Sequence, residues 1–109
     1  MAFNTQYENP GPAREAIDDL AGPVLLEFGT PWCGFCRAAQ PRIAEALEAH
    51  PEVRHVKVED GPGRRLGRSF RVKLWPTLVF LKDGQAQETL VRPHDAEAIA
   101  QALERIDPR

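Results

Sequence analysis

Five consecutive residues, Val24-Leu25-Leu26-Glu27-Phe28, leave this chain little choice of architecture. All but Glu27 are apolar, so no alternation assigns one face to water. The run reads as a central strand buried on both faces, and such a strand needs a layer above it and a layer below. A chain of 109 residues holds one compact domain, taken here as 1–109, and is too short for two.

The rest of the chain supplies those layers. Ala13, Ala16, Ile17 and Leu20 recur at i, i+3, i+4 and i+7, which predicts a helix over 12–21, stopped by Gly22-Pro23. Gly29-Thr30-Pro31 turns the chain after the apolar strand. A helix over about 33–50 follows, with Ala39, Ile43, Ala46 and Leu47 on one face, Pro41 expected to kink it and Pro51 ending it. Residues 53–58 read as a strand and 64–70 as a short helix in a Gly/Pro-punctuated basic segment. Residues 77–81 and 85–91 form a hairpin through Asp83-Gly84. Residues 95–106 carry Ile99, Leu103 and Ile106 at helical spacing. Phe3 and Tyr7 are candidates to anchor a short edge strand. The class is mixed α/β, with helices covering a central sheet.

Composition excludes several functions. Hydrophobic residues make up 42% and charged residues 28%, which argues against disorder. A formal net charge of −2 gives no global field toward nucleic acid or membrane, and neither is expected as a partner. No apolar run approaches the roughly 20 residues of a membrane span. The polar first ten residues lack a signal-type apolar stretch, so a cytoplasmic location is expected. The two cysteines sit three positions apart. A bridge that short would restrict the unfolded chain little, so reactivity explains the pair better than stapling.

Three features then combine: Trp32-Cys33-Gly34-Phe35-Cys36 after a buried strand, Pro41 in the next helix, and Trp75-Pro76-Thr77 before the hairpin. Together they resemble the thioredoxin family over nearly the whole chain, from about residue 12 to 106. The resemblance implies a thioredoxin fold, with a mixed sheet of four to five strands flanked by about four helices. It implies Cys33 as the nucleophile and Cys36 as the resolving thiol. Glu27 falls where the family carries a buried aspartate, Lys57 matches the lysine beside that acid, and Pro76 matches the cis-proline facing the cysteines. That proline would also keep metal from the thiols and free the Trp75 backbone to pair with an extended substrate. The chain departs from the family in four places. Gly34-Phe35 replaces Gly-Pro between the cysteines, Gly29 replaces a tryptophan, Trp75 replaces a smaller aliphatic residue, and Arg92 stands where a glycine usually admits the partner.

These residues suit disulfide exchange. A helix start favours a thiolate at Cys33, and Cys36 three residues on lies within bonding reach. Glu27 has two readings: a strand-end carboxylate pointing to water, or a buried proton acceptor for Cys36. Trp32, Phe35 and Trp75, with Gly34, Thr77 and Arg92, are candidate substrate contacts. Arg64, Arg65, Arg68, Arg71 and Lys73 form either a solvated face or a patch that steers acidic partners. The expected activity is thiol–disulfide oxidoreduction of protein disulfides, by a monomer that needs no cofactor or metal and is recharged by a reductase or other electron donor. The alternatives are a zinc site drawing on His50, His55 or His94, a non-catalytic interaction module, and a more oxidising oxidase or isomerase.

Overall fold

The computed structural model describes residues 2–109. The elements run β1 (Tyr7–Glu8), α1 (Arg14–Asp18), β2 (Pro23–Gly29), α2 (Gly34–Leu47), β3 (Arg54–Glu59), α3 (Arg65–Ser69), β4 (Thr77–Lys82), β5 (Gln85–Val91) and α4 (Ala96–Ile106). All five strands join one sheet in the order β1-β3-β2-β4-β5. β1, β3 and β2 are parallel, whereas β4 runs antiparallel to β2 and β5 antiparallel to β4.

The apolar run occupies the middle of this sheet, as its composition demands. Leu25 packs with Ile43, Leu47, Phe80, Ile99 and Leu103 on the side covered by α2 and α4. Val24, Leu26 and Phe28 pack with Ile17, Val56, Leu66 and Leu81 on the side covered by α1 and α3. Each fully buried Leu or Phe contributes about 1.5–3 kcal/mol over its exposed state. Alternation places Glu27 on the same face as Leu25, beneath α2.

Two helices are shorter than their periodicity suggests. α1 stops at Asp18 because the chain must reach the β4–β5 turn. There the Gly22 N–H donates to Asp83 Oδ1 at 2.7 Å, and Gly84, at φ +80, sits where any Cβ would run into the Asp18 carbonyl. α2 stops at Leu47 because His50 is drawn to the end of α4, between Asp107 at 2.8 Å and Glu104 at 3.0 Å.

Candidate functional site

Cys33 is not in the first turn of α2, as its spacing suggests, but at the cap before it, with φ −79 and ψ 125. The helix opens at Gly34, and its first backbone N–H groups therefore face the Cys33 sulfur. Both thiols are free, with Cys33 half-buried and Cys36 fully buried. Partial burial works against ionisation of Cys33. The Cys36 N–H, the Cys36 thiol, the Phe35 N–H and the Arg92 guanidinium outweigh it and hold the thiol below its ordinary value. Cys36 goes the other way: burial, the hydrogen bond with Cys33 and the charges of Cys33 and Glu27 push it up to about 12, against a favourable Thr30 N–H.

Beneath the thiols lies a polar seam. Glu27 is 0% exposed, which excludes the water-facing reading. The Asn4 N–H donates to His55 Nδ1 at 2.9 Å, so the hydrogen of the neutral ring sits on Nε2. From there it is donated to Glu27 Oε1 at 2.8 Å. Gln40 Nε2 donates to Glu27 Oε2 and to the Cys36 carbonyl, each at 2.8 Å. Lys57 lies opposite Glu27 in the β2–β3 register, but its ammonium reaches the carboxylate only through Gln40, donating to Oε1 at 2.7 Å. Burial pulls the Lys57 ammonium below its ordinary value despite the Glu27 charge.

Tyr7, on β1, brings its hydroxyl against the Cys36 thiol, with the Lys57 ammonium 4.3 Å from its ring centre. Burial first, then the charges of Glu27 and Cys36, keep that phenol protonated far above its ordinary range. Gly29 makes room for the arrangement. A Cβ there would come within 2.5 Å of Cys36 Sγ and 3.5 Å of the Tyr7 hydroxyl.

The sequence reading passed over Gln40 and Asn4, weighed His55 only as a zinc ligand and took Tyr7 only as an edge-strand anchor. One signal was available: His55 and Lys57 are two apart on one strand, and Gln40 is one helical turn beyond Cys36. Their convergence on Glu27 needs the parallel β2–β3 register, which spacing alone does not supply.

The mouth of the site is built differently. Trp32 and Phe35 are 69% and 59% exposed. Trp75 packs edge-on to Trp32 at 5.8 Å, and its indole N–H donates to Asp60 at 2.9 Å. The Trp75–Pro76 bond is cis. Gly34 is exposed, with open space where a Cβ would stand. Thr77 is buried and spends its hydroxyl on the Leu74 carbonyl at 2.6 Å, so it closes the turn into β4 and does not line the surface.

The Trp75 backbone is also not free, contrary to expectation. Arg92 Nε donates to its carbonyl at 2.7 Å, while the guanidinium stacks 3.8 Å from the centre of the Phe35 ring. Of the basic cluster, Arg65, Arg68, Arg71 and Lys73 are exposed, and among the described residues none of them is in an ion pair.

A part-exposed thiol at a helix start, a buried thiol one turn on, a carboxylate beneath and a cis-proline beside them are an arrangement that suits dithiol–disulfide exchange. Comparison with known proteins agrees. The thioredoxin family model matches residues 7–105. The structure of thioredoxin 2 from Pseudomonas aeruginosa PAO1, in its reduced form, superposes with a TM-score of 0.85 at 58% identity, covering 95% of this chain and 96% of that one. Thioredoxin 1 of Synechococcus elongatus is 32% identical over 84% of this chain and 87% of its own. Thioredoxin Asp f 28 of Aspergillus fumigatus is 37% identical over 65% of this chain. The match spans 66% of that fungal protein, and matches to two further relatives span 40% and 17% of theirs. By sequence, fold and the placement of its two cysteines, the chain belongs to the thioredoxin family.

Proposed function

We propose that the protein is a thiol–disulfide oxidoreductase that reduces protein disulfides in the manner of a thioredoxin. One observation carries the reading: two thiols one helical turn apart are driven in opposite directions, the accessible one toward thiolate and the buried one away from it. That asymmetry sets the order of events. The Cys33 thiolate attacks one sulfur of a partner disulfide, forming a mixed disulfide, and the displaced partner sulfur takes up a proton. Cys36 then loses its proton and its thiolate attacks Cys33 Sγ. The mixed bond breaks, a Cys33–Cys36 disulfide forms, and the second partner sulfur leaves as a thiol. Two electrons pass to the partner, and a reductase or comparable dithiol donor must return them.

Glu27 is the acceptor we assign to the Cys36 proton, supported by its charge already bearing on that thiol. The Tyr7 hydroxyl donates to the Cys36 sulfur as its charge develops. Lys57 supports Glu27 through Gln40. Pro76 and the Trp75 backbone receive the partner chain, and Trp32, Gly34 and Phe35 give it an apolar rim. The cationic rim at Arg92 favours acidic partners. Among the described residues no helix is long and apolar enough to cross a membrane. A reducing compartment such as the cytoplasm suits two free thiols kept for exchange.

Dithiothreitol-driven reduction of insulin disulfides tests the activity. The protein should accelerate it and Cys33→Ser should not. Equal rates with and without the wild-type protein would leave only a docking module on this fold. The reduction potential against glutathione then separates a reductant from an oxidase or isomerase.

A further inference from the structure

Arg92 is held in a way that ordinary loop arginines are not. Its backbone is left-handed, φ +50, a conformation that disfavours side chains bearing a Cβ. The Arg92 N–H fixes that turn by donating to the Pro76 carbonyl at 2.9 Å. The side chain therefore folds back over the site, where Nε meets the Trp75 carbonyl and the guanidinium covers the Phe35 ring. Among the described residues no carboxylate pairs with it. A guanidinium has five N–H donors, and one bond to a carbonyl leaves most of them unspent.

The Trp75 main chain is the edge to which an extended partner would add. A partner that pairs there must move the guanidinium off the carbonyl, and the displaced cation then needs another acceptor. A neutral partner offers none. An aspartate or glutamate beside the target disulfide offers a planar, bidentate one.

We propose that Arg92 is a specificity-determining latch. It closes the Trp75 carbonyl in the free protein and opens to partners that carry a carboxylate next to the disulfide. The proposal rests on the thiol-exchange reading above, and it differs from simple electrostatic steering. Steering speeds acidic partners and leaves neutral ones alone, whereas a latch also slows neutral partners.

The test uses two disulfide peptides differing only by Glu or Gln beside one cysteine, with rates followed for wild type, Arg92→Gly and Arg92→Lys. Glycine suits the left-handed backbone, and lysine keeps the charge but not the planar fork. Wild type should reduce the Glu peptide about tenfold faster than the Gln peptide. Both variants should gain rate on the Gln peptide, and Arg92→Gly should bring the two peptides together. In the mixed disulfide trapped with Cys36→Ser and the Glu peptide, the Arg92 Nε–H resonance should shift as the Trp75 carbonyl is released, and an unshifted resonance would count against the latch. A wild-type Glu preference that survives Arg92→Gly, or no gain on the Gln peptide in either variant, would overturn the latch. Failure of wild type to reduce either peptide or a small neutral disulfide would overturn the exchange reading instead.

Discussion

At the mouth of the site, Trp32 and Phe35 stand mostly in water, held by ring contacts and a single cation. Directly below, Glu27, His55 and Lys57 are buried, and each polar head meets a hydrogen-bond partner at 2.7–2.8 Å. The contrast follows from the solvent. In water an unpaired group is satisfied anyway, so the rim can vary with the partner it must fit. Out of water an unpaired polar group costs about 1–3 kcal/mol, so the seam is a closed set in which one change disturbs every member. In the proposed reaction the rim meets the partner, and the seam bears on the buried thiol.

The seam should break harder than the rim. Glu27→Gln can turn its one remaining oxygen to only one of the two donors, His55 or Gln40, and sets its N–H₂ against the other. His55 has no easy escape, because its other tautomer would point a hydrogen at the Asn4 N–H. Denaturant unfolding should show a loss of about 1–3 kcal/mol. Reasoning from the lone carboxylate, without its partners, would have predicted a neutral or stabilising change. Turnover near neutral pH should fall as well, and an unchanged rate across roughly pH 6–9, the range in which thiols exchange, would remove Glu27 from the reaction.

Gly29→Ala presses a methyl group onto Cys36 Sγ and separates the sulfur from the Tyr7 hydroxyl. Overpacking of this kind should lower stability by about 1–3 kcal/mol and slow resolution of the mixed disulfide. Chemical denaturation and single-turnover kinetics read the two effects separately.

Titration gives a gentler probe of the same seam. Burial pushes Cys36 up to about 12 in the fold, from about 8.5 for a thiol in an unfolded chain. The unfolded state therefore loses its proton first, and the reduced protein should lose stability as pH rises from about 8.5 toward 12. Tyr7, also raised, acts in the same direction above its ordinary range. Cys33 is lowered, so its contribution is present at alkaline pH and is lost as pH falls through its folded value. Melting temperatures of the reduced protein against pH should show the alkaline decline. A flat profile would mean that Cys36 is not held protonated by burial.

The rim should show the smallest effect on stability. Trp32→Ala removes a mostly exposed ring and should change unfolding free energy by about 0.5 kcal/mol or less, while weakening capture of protein disulfides. A loss comparable to that of Glu27→Gln would show that the two regions are one cooperative unit.

The same contrast explains what the sequence disclosed. Element order, the doubly buried β2 strand, the hairpin at Asp83-Gly84 and the cysteine pair follow from local pattern, because periodicity and turn chemistry are local. The departures at Gly29, Trp75 and Arg92 were visible as residue types, but not their consequences. Arg92 had to be seen at φ +50 to learn that it folds back onto Trp75 and does not reach outward. The seam was least legible. His55 sits 28 residues from Glu27, and its alternation with Val56 and Val58 reads as an ordinary strand until parallel pairing sets it beside β2.

The division of labour between the two thiols is the claim on which all else depends, and trapping tests it most directly. Cys36→Ser should accumulate mixed disulfides through Cys33 with a disulfide substrate, released by dithiothreitol and visible on non-reducing gels. Cys33→Ser, left with a buried thiol held protonated, should accumulate none at neutral pH. Efficient trapping by Cys33→Ser, with none by Cys36→Ser, would reverse the roles and contradict the account.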